Sequence, residues 1–187
     1  MARSPTKTRV VGWSGISNSV EAMRHLRRKL TLQAHGEQIV LVKRAQERIE
    51  HVWMKAFLWA LYLPEYPDLK VEVDVGGKYK PDVVAMDPHR GRPRFWGEAG
   101  AVGPDKIEHL VTRYSDVPLA FGKWDRTLDP LLEPVESAVH TTERTAPIDL
   151  FRFPPDSAER FIEDRGHLSL SRDALPQVRV GNAEAWR

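Results

Sequence analysis

The stretch that decides the fold is KPDVVAMDPHRGRPRFWGEAG, residues 80–100. Two apolar runs, DVVAM and RFWGEA, flank the segment DPHRGRP, whose Asp, Pro and Gly residues are typical of a turn. The sequence therefore predicts an antiparallel hairpin folded about residue 90. In that register, opposite residues have numbers that add up to about 180, and Asp82 and Glu98 meet this condition.

The expected pairing of Asp82 with Glu98 points to a metal site. Directly opposed strand residues have Cβ atoms roughly 5 Å apart, and two like charges at that spacing destabilise a sheet. A divalent cation would offset the repulsion, since Mg²⁺ binds one or two carboxylates together with a backbone carbonyl and water. In the alternative interpretation, both acids lie at solvated strand ends and form salt bridges with Arg92 or Arg94. Glu98 weighs against it, because a carboxylate is costly within the apolar run of residues 95–102.

A long helix upstream of the hairpin contributes a third acid. Residues 45–63 give the strongest helix prediction, because they contain neither Gly nor Pro and are followed directly by a proline. On a helical wheel at about 100° per residue, Glu50 falls within the apolar arc, whereas Glu47 falls beyond its edge. We therefore expect Glu50 to be buried near the hairpin and Glu47 to be a solvated surface residue. His51 falls on a polar side of the same helix.

The other elements predict an α/β sandwich rather than a helical bundle or an all-β barrel. Strands are expected at residues 29–34, 38–43, 69–75, 117–122 and 149–153, helices at residues 104–115 and 155–165, and a closing strand pair at residues 167–180. Residues 123–147 are expected to be irregular. The almost wholly apolar strand at residues 117–122 should be central in the sheet.

Length and composition restrict the class of protein. The 187 residues suit one domain, with residues 1–20 flexible or loosely packed and residues 21–187 forming the domain. The chain has no cysteine, which excludes disulfides, zinc–thiolate sites and cysteine nucleophiles and suits a reducing cytoplasm. We expect a cytoplasmic protein without membrane contact, since neither a bilayer-spanning run nor a signal peptide occurs. A net charge of +2 argues against a nucleic-acid coat protein but leaves room for an enzyme that meets phosphate locally.

These residues resemble the PD-(D/E)XK nuclease superfamily. Its core is a helix carrying a Glu, three strands carrying Pro-Asp and Glu-x-Lys, and then a helix and a strand. Pro81-Asp82 and Glu98 match the strand motifs, and Glu50 matches the helix acid. Within the superfamily the chain is most similar to the bacterial YaeQ family. The pattern extends from residue 29 to Trp186.

The resemblance implies a restriction-endonuclease-like fold, a mixed sheet flanked by helices, and Mg²⁺- or Mn²⁺-dependent cleavage of DNA or RNA. Asp82, Glu98 and the Ala99 carbonyl would hold the cation, with Glu50 completing the shell. The motif lysine, which would orient the attacking water, should stand at Gly100 and is missing. Lys106 on the next helix is the obvious substitute, and Lys80, two residues before Asp82, is a second candidate.

Two features keep other functions open. Lys106, His109 and Arg113 share one side of their helix, which could face phosphate or be an ordinary solvated edge. The missing lysine also allows a catalytically degenerate module that binds nucleic acid or protein on a nuclease fold. A purely structural subunit of a larger assembly is a third possibility. Metal binding would separate the enzyme from the other two.

Overall fold

The computed structural model of the chain describes residues 28–181. The expectation for residues 1–20, the ends of the expected domain and Trp186 lie outside these residues. Within them the protein is an α/β fold with a mixed sheet flanked by helices, as the sequence predicted. None of the helices in this part of the chain is long and apolar enough to cross a membrane.

Two sheets contain the eight strands of the described residues. β1 (Arg28–Ala34) and β2 (Glu37–Lys43) form a separate antiparallel hairpin. The six-stranded sheet has the order β3-β4-β5-β6-β7-β8, with β3 (Lys70–Val71), β4 (Val83–Met86), β5 (Pro93–Ala99), β6 (Leu119–Trp124), β7 (Ile148–Phe153) and β8 (Gln177–Val180). β5, β6 and β7 are parallel, and the other pairs are antiparallel.

The helices cover both faces of the larger sheet. They are α1 (Ile49–Tyr62), α2 (Pro104–Arg113), α3 (Asp129–His140) and the short α4 (Ser157–Phe161). One core packs α1 against alternate residues of the sheet, including Phe95 and Phe151. A second core packs α2 and α3 against the other face, which includes Trp96 and Phe121. The apolar face of α1 is unusually broad, because both the sheet and the β1–β2 hairpin cover it.

The predicted hairpin is present in the expected register. Val83 lies opposite Gly97 and Val84 lies opposite Trp96, and a small irregularity follows Ala85 near the turn. The Asp87 carboxylate accepts hydrogen bonds from the backbone N–H groups that follow it, which stabilises the turn locally. Local turn chemistry and the two apolar runs were therefore sufficient to predict this part of the fold.

Two predicted segments differ in the structure. The strand expected at residues 69–75 is reduced to β3, because Glu72 has a φ of +57° that ends the extended conformation. The segment at residues 123–147, expected to be irregular, contains α3. Pro134 lies inside this helix, and the burial of Leu131 and Val135 in the second core outweighs the backbone hydrogen bond that proline cannot donate.

The C-terminal predictions were also wrong in detail. The helix expected at residues 155–165 is limited to α4, because Ile162 is extended and forms an isolated bridge with Leu168. The strand pair expected at residues 167–180 contains one strand only, β8, which pairs with β7. The pairing of β8 with β7 joins segments about 30 residues apart, so local propensity could not predict it.

Candidate functional site

Asp82 and Glu98 lie side by side at one end of the β4–β5 hairpin. The Asp82 N–H donates to the Gly97 carbonyl at 3.2 Å, and the Ala99 N–H donates to Asp82 Oδ2 at 2.8 Å. These two bonds hold Asp82 against β5 at Glu98, in continuation of the ladder that pairs Val83 with Gly97. The backbones of the two acids are therefore neighbours, as the register predicted, whereas the Asp82 carboxylate contacts His51 on α1 and the Glu98 carboxylate contacts Lys106 on α2.

Glu98 is a buried carboxylate with two donors. It is 3% exposed and points toward α2, on the same face as Trp96. Its Oε1 accepts a hydrogen bond from Trp96 Nε1 at 2.7 Å, and its Oε2 accepts one from Lys106 Nζ at 2.6 Å. Burial raises the pKa of Glu98 to about 7, and the negative charge of Asp82 acts in the same direction, while Lys106 and Trp96 lower it.

The surroundings of Asp82 lower its pKa, whereas those of Glu98 raise it. Burial disfavours its ionised form, but the contact with His51 and the Ala99 N–H outweigh that cost and hold the pKa of Asp82 below its usual value. His51 Nε2 lies 3.5 Å from Asp82 Oδ1, and this contact raises the pKa of the His51 imidazole despite its partial burial. The pair therefore consists of an ionised Asp82 and a Glu98 that holds its proton to near-neutral pH.

The Ala99 carbonyl lies on the β4 side of β5. The N–H groups of Trp96 and Gly100 donate to Pro118 and Gly122, on the β6 side of the strand. The Ala99 N–H points the other way, to Asp82. Since the N–H and C=O of one residue in a strand point to the same side, the Ala99 carbonyl also faces the Asp82 side.

Gly100 stands where the resemblance noted in the sequence predicted a lysine. Its φ is +85°, a left-handed conformation that strains any residue with a side chain. A Cβ added there would lie 3.5 Å from His51 Cδ2 and 3.6 Å from Met54 Cε. α1 therefore fills the space beside Gly100, and the ammonium group near Glu98 comes from Lys106 on α2 instead.

The acid that α1 was expected to bring to the site is a different residue. Glu50 is 8% exposed, as predicted, and lies 3.5 Å from the Arg48 guanidinium. The cleft beside Asp82, however, is lined by Glu47 and His51. The expectation that Glu47 is a solvated surface residue was wrong, since its side chain is only 12% exposed. The helical wheel failed because α1 begins at Ile49, so Glu47 lies in a turn before the helix.

Glu47 belongs to a charged network that the sequence did not reveal. Its Oε1 lies 2.8 Å from His51 Nδ1 and 2.6 Å from the buried Lys55 Nζ, and Lys55 also contacts Glu72. Burial opposes the ionisation of Glu47, but Lys55 and the Arg44 N–H hold its pKa below the usual value. The spacing of four residues places His51 and Lys55 on one side of α1, but no helical spacing could place Glu47, which lies before the helix.

A cleft of about 680 Å³ opens beside Asp82. Its walls come from the turn before α1, from Glu72 after β3, and from the segment that leads into β4, including Lys80. Glu98 and Lys106 lie on the α2 side of Asp82, on the opposite face of the sheet from α1. Asp82 is therefore the residue that joins the cleft to the buried Glu98.

Two findings limit the kinds of metal site that fit. Within residues 28–181 no group of three or more His, Asp or Glu side chains could hold a metal ion. The alternative in which Arg92 and Arg94 neutralise the two acids is not observed, because Arg92 contacts Asp116 and Arg94 contacts Asp68. The available donors are thus two carboxylates and one backbone carbonyl, which suits only a hard cation that keeps several waters.

Comparison with known proteins gave similarities of structure only. No family model and no curated protein matches the sequence. The structure is similar to the YaeQ protein from Pseudomonas syringae, with a TM-score of 0.49 and 16% sequence identity, over 73% of this chain and 74% of that chain. It is also similar to the YaeQ protein from Xanthomonas axonopodis pv. citri, with a TM-score of 0.46 and 13% identity, over 67% and 71%. Two proteins of the YaeQ family, which the sequence was expected to resemble, are thus among the structures to which this chain is similar.

Proposed function

We propose that this protein is a Mg²⁺- or Mn²⁺-dependent phosphodiesterase that acts on DNA or RNA. The proposal rests on one observation: two largely buried acids, Asp82 and Glu98, have adjacent backbones at one end of a hairpin, with the Lys106 ammonium 2.6 Å from Glu98. Such a pair is costly in a sheet unless positive charge offsets it.

The donors fit a hard cation of this kind. Asp82 and Glu98 would hold it, and the Ala99 carbonyl, which faces the same side, would complete the protein's share of the ligands. The raised pKa of Glu98 supports this assignment, because a carboxyl destabilised by burial and by Asp82 gains most from a neighbouring cation. When bound, the cation would polarise the phosphoryl group and activate a water for attack.

The protein's own side chains have separate roles. Lys106 would keep one donor on Glu98 Oε2 and present the rest of its charge to the phosphate, offsetting the negative charge that develops there. Trp96 Nε1 would hold the other Glu98 oxygen in place. His51 contacts Asp82 from α1 and would keep that carboxylate oriented. Glu50, assigned from the sequence, does not line the cleft, and Glu47 takes the position expected for the helix acid.

The topology agrees with a restriction-endonuclease-like core. A helix, α1, precedes three antiparallel strands that carry Asp82 and Glu98 at one end. α2 then crosses to β6, which runs parallel to β5. This is the order of elements that the resemblance to the PD-(D/E)XK superfamily implies, so we propose that finer fold class for the chain.

A catalytically degenerate binding module is the second candidate. One observation favours it: both oxygens of Glu98 already have donors, Trp96 Nε1 and Lys106 Nζ. In that case Lys106 would replace the cation as the charge that stabilises the pair. The protein would then bind nucleic acid or another protein without cleaving it.

Metal binding and cleavage, measured together on variants, test the proposal. We expect calorimetric titration to detect Mg²⁺ or Mn²⁺ and a plasmid-nicking assay to detect cleavage only with the metal. Glu98→Gln should abolish both, because it removes the charge that holds a hard cation. Lys106→Met should retain metal binding and lose roughly 10²–10⁴ in turnover, as for loss of a charge-stabilising group.

Glu108→Gln and Lys70→Met are the matched controls, since both side chains are exposed and make no contact with the carboxylate pair. Both should behave as wild type. Metal binding without cleavage of DNA or RNA would favour the degenerate module. If the wild-type protein binds neither metal, the proposed function is wrong.

A further inference from the structure

A group of basic side chains surrounds one aromatic ring beside α2. This basic patch consists of Lys78, Tyr79, His109 and Arg113, of which Lys78 and Arg113 are exposed and the other two partly exposed. Lys78 Nζ lies 5.1 Å from the centroid of the Tyr79 ring, and the His109 ring meets the Tyr79 ring edge-on at 5.2 Å. Tyr79 thus contacts basic side chains from two separate segments of the chain.

The basic patch is continuous with the carboxylate pair. Lys106 Nζ lies 5.4 Å from the centroid of the same Tyr79 ring and 2.6 Å from Glu98 Oε2. A polyanion lying along the patch would therefore reach Lys106, whose ammonium contacts the buried Glu98, without leaving positively charged surface.

The charge of the basic patch is not neutralised by neighbouring acids. Among the described residues, no carboxylate forms an ion pair with Lys78, His109 or Arg113. By contrast, Arg92 and Arg94 at the other end of the hairpin each have an aspartate partner. Burial lowers the pKa of His109, and the positive charges of Lys78 and Arg113 lower it further.

We propose that this basic patch binds the phosphodiester backbone of nucleic acid and directs it past Tyr79 to Glu98. The inference rests on the proposed function and names the surface that binds its substrate. Charge complementarity supports it: the whole chain has a net charge of only +2, so attraction for phosphate depends on where cations gather without acidic partners. Side chains of this kind bind phosphate in any sequence context, so the surface should show little base preference.

Salt dependence of binding is the measurement that tests the proposal. Fluorescently labelled single-stranded and duplex DNA would be titrated with the full chain in EDTA, over roughly 50 to 200 mM salt. The variant is Lys78→Gln combined with Arg113→Gln. The matched control is Lys29→Gln combined with Lys70→Gln, which removes the same charge from exposed positions on β1 and β3.

We expect the patch variant to bind more weakly and its slope of log K against log salt to fall in magnitude by about 1.4 to 1.8, from about 0.7 to 0.9 per phosphate contact. The control should keep the wild-type slope. Equal losses in both double variants, or no DNA binding by the wild type, would overturn the proposal. If DNA binds through the patch but is not cleaved, the proposed function alone is refuted. If cleavage depends on metal but the patch variant binds DNA with unchanged affinity, this inference alone is refuted.

Discussion

Replacing Glu98 by glutamine should stabilise the metal-free protein, and only at high pH. The carboxyl has a pKa of about 7 in the folded chain against 4.5 as its ordinary value. Because the folded-state pKa is raised, the favourable contribution of protonated Glu98 is fully present below pH 4.5 and is lost as the pH rises through about 7. Glutamine resembles the neutral carboxylic acid in size and hydrogen bonding but cannot ionise.

The size of the effect follows from the same shift. A tenfold change in proton affinity corresponds to about 1.4 kcal/mol, so ionised Glu98 costs the folded state up to roughly 3 kcal/mol at pH 8. At pH 5 the difference between variant and wild type should be less than about 1 kcal/mol. Lys106 loses its ionised partner in the variant, but its side chain is 22% exposed and can be hydrated. Most of the increase in the free energy of unfolding at pH 8 should therefore remain.

Urea denaturation in EDTA, followed by tryptophan fluorescence, would measure the difference in free energy of unfolding between Glu98→Gln and wild type at pH 5 and at pH 8. Glu108→Gln, an exposed substitution on α2, should show no such dependence on pH. Adding Mg²⁺ at ten times its dissociation constant should stabilise the wild type by about 1.4 kcal/mol at pH 8 and leave Glu98→Gln unchanged. If Glu98→Gln is instead less stable than wild type at pH 8, Lys106 and Trp96 stabilise the ionised carboxylate by more than its burial costs, and the reasoning from the raised pKa is wrong.

Two further substitutions test the packing and the buried network away from the site. Gly122→Ala should lower the free energy of unfolding by about 1–3 kcal/mol, because its Cβ would lie 2.8 Å from the buried Phe153 ring. The control, Gly103→Ala, places its Cβ where no atom lies within 4 Å and should lower it by about half a kcal/mol or less. Equal effects of the two changes would contradict this. Asp149→Asn should cost roughly 2–3 kcal/mol, because the buried carboxylate accepts hydrogen bonds from Tyr62 and two arginines, whereas the exposed Asp156→Asn should be near neutral. A stability unchanged by Asp149→Asn would show that the arginines remain satisfied without it.

The hairpin and the carboxylate pair could be predicted from the sequence because they depend on local chemistry. The Pro- and Gly-rich turn sets the register, and the register places the backbone of Asp82 beside that of Glu98. The burial of Glu98 followed in the same way from its apolar neighbours. Along α2 the buried residues Ile107, Leu110 and Val111 follow helical spacing, which is also a local pattern.

The surroundings of the pair were decided by the tertiary structure. A helical wheel does not describe the turn before α1, in which Glu47 lies. Glu47 and His51 therefore line the cleft, although the apolar pattern had assigned the acid of the cleft to Glu50. α3 forms despite Pro134 because a buried face compensates for the lost hydrogen bond, and such burial exists only once the sheet is assembled. Lys106, Tyr79 and His109 meet because α2 packs beside the segment before β4, and contacts between distant segments carry no local sequence signal. Periodicity and turns act within a few residues, whereas the charges around Glu98 come from elements that only the folded chain brings together.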